Sequence, residues 1–250
     1  MARTETWTRV WDGLRAVAAA LALAAIIAQL VRTVGISVAS KTEYGHHVGT
    51  VVANFFSFFT IESNLAAAVT LLIGAIWAWT KGRDAAVEPR WFAILLVCVS
   101  TYMIVTGIVY NTLLRGIQLS VGATVPWSNE VLHVVIPLFL LADVLFAPRR
   151  RALPWSTAWI IVIYPIVWAV YTLVRAPLVV SPATGKPYWY PYPFLDPHQS
   201  GGYLAVAAYI VGIAIAIVGV GLLVIWAGRF RVVRGRRMAS EAHSAGAVDS

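Results

Sequence analysis

Charge is scarce in this chain. Asp, Glu, Lys and Arg make up 12% of its 250 residues, about half the share that soluble domains carry. A fold whose surface is covered by water is thereby excluded. Cysteine is all but missing: Cys98 is the only one and lies inside an apolar run, so no disulfide can form within the chain. Lysine is confined to Lys41, Lys81 and Lys186, all outside the apolar runs, which excludes a buried Schiff base to retinal. No two histidines have the His-x-x-x-His spacing of a helical metal site. No clear internal repeat is present either, which argues against the common transporter folds.

What the chain has in abundance is apolar sequence, 60% of all residues. Runs of about 20 apolar residues mark membrane-crossing helices. Six are legible, over 14–34, 51–79, 91–114, 128–147, 155–175 and 202–228. The expected fold is therefore all-α, an integral membrane six-helix bundle over 1–228, with the second run long enough to tilt or to extend beyond the bilayer. The net charge of +8 does not point to nucleic acid, because the basic residues sit in short tracts beside the apolar runs, where they set topology and meet anionic lipid. An even number of spans puts both termini on one side. That side collects Arg3, Arg9, Arg15, Lys81, Arg83, Arg90, Arg149, Arg150, Arg151 and the cluster from Arg229 to Arg237. The positive-inside tendency then predicts cytoplasmic termini in a multi-pass protein of the cell membrane. The first run also resembles a secretory signal, whose cleavage would reverse the amino terminus. Beyond Met238 the tail, 229–250, is expected to pass from basic to unstructured.

Polar residues within the runs are unevenly spread. On this topology Asn54, Ser57, Thr60, Glu62, Ser63 and Asn64 occupy the outer and middle part of the second span. Asn129 and His133 lie in the first two turns of the fourth span, one turn apart on one face. The third span adds Tyr102, Thr106 and Tyr110 at intervals of four. Helical phase sets a Ser57–Thr60–Asn64 stripe against Asn129 and His133, which would line a pocket opening outward, with Glu62 pointing nearly opposite to Thr60. For Ser57, Asn64, Thr106 and Asn129 the alternative is interhelical hydrogen bonding without further function. An imidazole at membrane depth is costly and marks a functional site. Glu62 is costly in the same way, and either pairs with Arg115 or is protonated. The loop Pro187–His198, rich in Tyr, Trp and Pro, reads as an interfacial aromatic belt, as a lid over the bundle mouth, or as both.

Three blocks in order, Phe58-Phe59-Thr60 before an apolar run, Asn129-x-x-x-His133-x-x-x-Pro137, and Tyr192-Pro193-Phe194-Leu195-Asp196, resemble the androgen-induced and androgen-dependent TFPI-regulating membrane proteins. The likeness covers most of the six-span region and is to the prokaryotic relatives of that family. It implies a membrane threonine hydrolase acting on fatty acid esters of hydroxy fatty acids, with Thr60 as nucleophile and His133 as base. Asn129 and Asp196 are carried over as matching positions alone. Glu62-Ser63-Asn64 after the threonine departs from the animal members, which are more apolar there.

The residues themselves fit such chemistry. Threonine needs a base to remove its proton, and histidine is the side chain suited to that near neutral pH. Asn64, Asn129 or a tyrosine hydroxyl are candidate donors to an oxyanion. Asp196 is the candidate to orient the imidazole, with a Thr60–His133 dyad lacking it as the alternative. No cofactor and no metal is expected; the expected partners are membrane lipids and a lipid-ester substrate, and nucleic acid is not among them. Two other readings stay open. One is a metal-dependent membrane hydrolase drawing on His46, His47, His133 and His198. The other is a transport-type or non-catalytic six-span protein.

Overall fold

The computed structural model describes residues 2–116 and 123–248, with side chains over 5–116 and 123–235. Among these residues there are helices and no strand. Six helical segments, Glu5–Ala39, Phe59–Trp79, Arg90–Leu114, Pro126–Phe146, Thr157–Leu178 and Gly202–Gly235, are long and apolar enough to cross a membrane, and the chain is a multi-pass membrane protein. In chain order the helices are α1 (Ala2–Ala39), α2 (Val48–Phe55), α3 (Phe59–Trp79), α4 (Arg90–Val109), α5 (Pro126–Glu130), α6 (Ile136–Phe146), α7 (Thr157–Arg175) and α8 (Gly202–Val248).

The second apolar run is not one helix. It breaks between α2 and α3, where Phe58 takes an extended backbone (ψ 126°) as the cap of α3. Ser57 therefore sits in the break, and Thr60 is the second residue of a new helix, where backbone N–H groups have no partner within the helix. At the other end of the chain, α8 continues as helix past Met238, where an unstructured tail was expected; the Arg236 and Arg237 side chains and those beyond lie outside the described residues.

Helix breakers shape the rest. Pro89 and Pro126 stand at the starts of α4 and α5, where a missing N–H costs nothing. Within α7, Pro165 cannot donate to the carbonyl of Ile161, and the Tyr102 hydroxyl donates to that oxygen at 2.8 Å. Pro137 likewise leaves the His133 carbonyl without its helical donor. The turn before it, Val131–Val135, widens into a π-helix, as does Tyr110–Leu114 at the end of α4. The two wide turns face each other, with the amide of Asn111 reaching the His133 carbonyl at 3.4 Å. Gly107 permits the approach: a Cβ there would lie 2.8 Å from Cβ of Pro137.

α4 stands between two cores. On one side Ala18, Ala19, Ala22 and Ala25 of α1 pack on Ala67, Ala68 and Leu71 of α3, with Leu96, Met103, Ile136 and Leu140. Small side chains let membrane helices come close where no hydrophobic drive separates helix from lipid. On the other side Val97, Tyr102 and Val105 of α4 meet Ile161 of α7 and Ile217, Val224 and Ile225 of α8. The far end is held by charge. Asp143, fully buried, accepts from Trp11 Nε1 at 2.7 Å, from Arg15 Nε at 2.7 Å and from an Arg150 guanidinium nitrogen at 3.0 Å. Glu88, also buried, lies 3.9 Å from both Arg15 and Arg150 with neither carboxylate oxygen hydrogen-bonded. Burial pushes its carboxyl above the ordinary glutamate value, the two guanidinium groups pulling the other way. Arg15 and Arg150, expected in tracts that set topology and meet anionic lipid, are thus interior ion-pair partners.

Candidate functional site

The end of the bundle opposite this ionic cluster holds a cavity of about 670 Å³, which Thr60, Asn129, His133 and Tyr192 help to line. Its chemistry is built on helix ends and wide turns. His133 lies in the Val131–Val135 π-turn, a wide geometry that recurs at functional sites. Its Nδ1 is 2.9 Å from the backbone oxygen of Asn129. That oxygen can only accept, so in the neutral ring Nδ1 carries the hydrogen and Nε2 keeps the lone pair of a base. The imidazole stacks on Tyr110, ring centroids 3.9 Å apart, and the Tyr110 hydroxyl accepts a short hydrogen bond from the Asn129 amide. Asn129 therefore holds the ring twice, its carbonyl accepting from Nδ1 in the ring plane and its amide fixing the Tyr110 against which the ring face stacks.

Thr60 sits in the first turn of α3. Its N–H donates to the Tyr192 hydroxyl at 3.2 Å, and its own hydroxyl lies 3.2 Å from the same oxygen. Tyr192 arrives from the aromatic loop, which folds down onto the bundle: Tyr192 and Leu195 are buried against Phe58, Phe59, Leu114 and Trp168. Burial pushes the Tyr192 phenol up, the bonds with Thr60 offsetting part of it, so the side chain at Thr60 is a neutral phenol that both donates and accepts.

Among the described residues no hydrogen bond joins Thr60 to His133. The two line one cavity with Asn129, but the hydroxyl of Thr60 is engaged by Tyr192. The other expected members lie elsewhere. Asn64 does not line this cavity: its amide donates to the carbonyls of Thr60 at 2.9 Å and Leu132 at 3.1 Å, tying α3 to the turn that carries His133. Ser57 bonds the Ala53 carbonyl at 2.7 Å and lies 3.0 Å from the Tyr171 hydroxyl. Asp196 does not reach His133; it accepts from the N–H and ring of its neighbour His198, at 2.9 and 2.8 Å, and from Gln199 at 3.2 Å. Partial burial pushes the Asp196 carboxyl up and those bonds more than reverse it, a net downward shift. Glu62 accepts a short bond from Tyr164, while Arg115 pairs with Glu130 at 2.9 Å, so the Glu62–Arg115 pairing does not form. The described His, Cys, Asp and Glu residues do not gather in threes that could hold a metal ion.

Two participants escaped the sequence reading. Tyr192 was visible only as part of an aromatic loop, and nothing local ties it to Thr60, 132 residues away. Tyr110 stood on a stripe of polar residues spaced by four, a signal that gave its face but not its partner. No match to this chain is found among known protein families, curated proteins or solved structures. The family resemblance accordingly stands on its three residue blocks alone.

Proposed function

We propose that the chain is an integral membrane hydrolase of lipid esters, with Thr60 as nucleophile and His133 as general base. Its termini are cytoplasmic and its site lies toward the outer face of the membrane. The observation that carries this reading is the shared cavity: Thr60 and a histidine with an available Nε2 line one space of about 670 Å³, where the remaining walls are largely apolar. Such a space suits a lipid ester better than a polar solute.

In the reaction, Thr60 Oγ1 attacks the ester carbonyl carbon while its proton passes to His133 Nε2. The carbon–oxygen bond to the alcohol breaks, and the alcohol leaves with the proton from His133. Water then attacks the acyl-threonine, giving a proton to His133, which returns it to Thr60 as the fatty acid departs. The Thr60–Tyr192 contact of the resting site opens as the substrate carbonyl enters. The freed Tyr192 hydroxyl and the Thr60 N–H it releases are then the donors available to the oxyanion. A second reading, a lipid-binding protein without turnover, is favoured by the lack of a direct Thr60–His133 hydrogen bond.

Labelling of the purified protein in detergent with a fluorophosphonate probe distinguishes them. Labelling is expected in the wild type, absent in Thr60→Ala and sharply reduced in His133→Ala. Unchanged labelling of Thr60→Ala overturns the covalent mechanism.

A further inference from the structure

Thr60 and Tyr192 are a partition as well as a pair. On the side away from His133 lies a second cavity of about 320 Å³, bounded by α4, α7 and α8 and by the descending loop. Thr60, Tyr110, Leu114 and Tyr192 line both cavities; Asn129 and His133 line only the first. The second contains no charged residue and is walled by side chains such as Val105, Trp168, Ile213 and Ile217. Hydrocarbon is the chemistry that such a lining accepts. It also reaches the lipid-facing surface: Ile166 of α7 and Val218 of α8 line it and are exposed. An alkyl chain therefore has an entrance from the bilayer between these two helices.

The proton path then decides which half of an ester lies where. The departing alcohol must take its proton from His133, so it lies in the cavity that His133 lines. Water for the second step needs the same base and must come from the same side. The acyl portion, which stays on Thr60 while alcohol leaves and water enters, is left with the other side. We propose that the cavity between α4, α7 and α8 is the acyl-chain site, and that Ala169 and Ala214, small residues in its lining, set the length of chain it admits. This rests on Thr60 and His133 acting as the nucleophile and base.

The test compares the acetyl and palmitoyl esters of 4-methylumbelliferone with wild type, Thr60→Ala, Ala169→Phe and Ala214→Trp in detergent. The filled variants are expected to lose palmitoyl hydrolysis by about tenfold or more while keeping acetyl hydrolysis within about twofold, as steric exclusion from a pocket predicts. Retained acetyl turnover also reports that a variant is folded. Palmitoyl hydrolysis unchanged in both, or both esters lost equally in both monodisperse variants, overturns the acyl assignment while Thr60 dependence stands. Hydrolysis that survives in Thr60→Ala overturns the nucleophile instead, and the assignment with it. A measurement independent of turnover uses a diazirine-bearing palmitic acid photo-crosslinked to Thr60→Ala protein. Labels competed by free palmitate are expected on the segments holding Val105 and Ile213; competed labels confined to the Asn129–His133 segment overturn the proposal.

Discussion

A carboxylate in the interior of a bundle needs partners, and Asp143 has them. It is fully buried near the end of α6, where two guanidinium groups and an indole N–H hold it. A buried ion pair contributes little net stability, because desolvation offsets attraction, but removing one partner strands the other. Asp143→Asn removes the carboxylate that Arg15 and Arg150 both hydrogen-bond, and Glu88 lies 3.9 Å from each of them. It is expected to destabilise the fold by about 3–5 kcal/mol, read as a large fall in the midpoint of thermal unfolding in detergent. A drop no larger than that of a surface substitution such as Glu43→Gln would show that the cluster is not holding this end together. His133 sits at the opposite pole of the same principle: its ring needs no ion pair because a carbonyl and a stacked tyrosine satisfy it in the neutral state.

At the scale of elements, the site depends on two helices departing from regular geometry at the same level. The π-turns at Tyr110–Leu114 and Val131–Val135 carry the stacked Tyr110–His133 pair, and Gly107 lets α4 approach Pro137 closely enough for that stack to form. Gly107→Ala places a methyl 2.8 Å from Pro137 Cβ and near the His133 carbonyl. Overpacking of this kind costs about 1–3 kcal/mol, and the strain falls on the segment that holds the base. The variant is expected to remain folded, with a lowered unfolding midpoint and reduced fluorophosphonate labelling. Full labelling would mean that the stack is not needed to position His133. Proline four residues after His133 removes the regular hydrogen bond of that turn. That a second wide turn would meet it was not legible, because π-turns follow from packing between helices and leave no periodic trace.

Across the whole molecule, a polar site and an ionic cluster lie at opposite ends of one bundle. Gln29, at the cavity, and Arg15, in the ionic cluster, are both on α1, separated by about 21 Å of helix rise. If the positive-inside tendency holds, the ionic end is cytoplasmic. In a Cys98→Ala background, Glu43→Cys, between α1 and α2, should react with a membrane-impermeant maleimide in intact cells. Ala86→Cys, between α3 and α4, should react only after permeabilisation. The reverse pattern would invert the topology and place the cavity on the cytoplasmic side.

The sequence by itself determined the solvent, the number of spans and the end of the bundle at which Thr60, Asn129 and His133 gather. Each follows from composition and from local periodicity: scarce charge, runs of bilayer length, and polar residues clustered at one end of several runs. It also brought Thr60, Asn129 and His133 to one region, since helical phase and span direction are both readable from neighbours in the chain. Only the tertiary structure decided what each residue touches. Asn64 became a clamp between helices, Asp196 turned to His198, and Thr60 met Tyr192, because partners far apart in sequence are chosen by how helices pack and how loops return. The same holds for Arg15 and Arg150. Their positions in the sequence are those of topology anchors, but three buried carboxylates on separate segments, Asp12, Glu88 and Asp143, turn that end of the bundle into an interior ionic network.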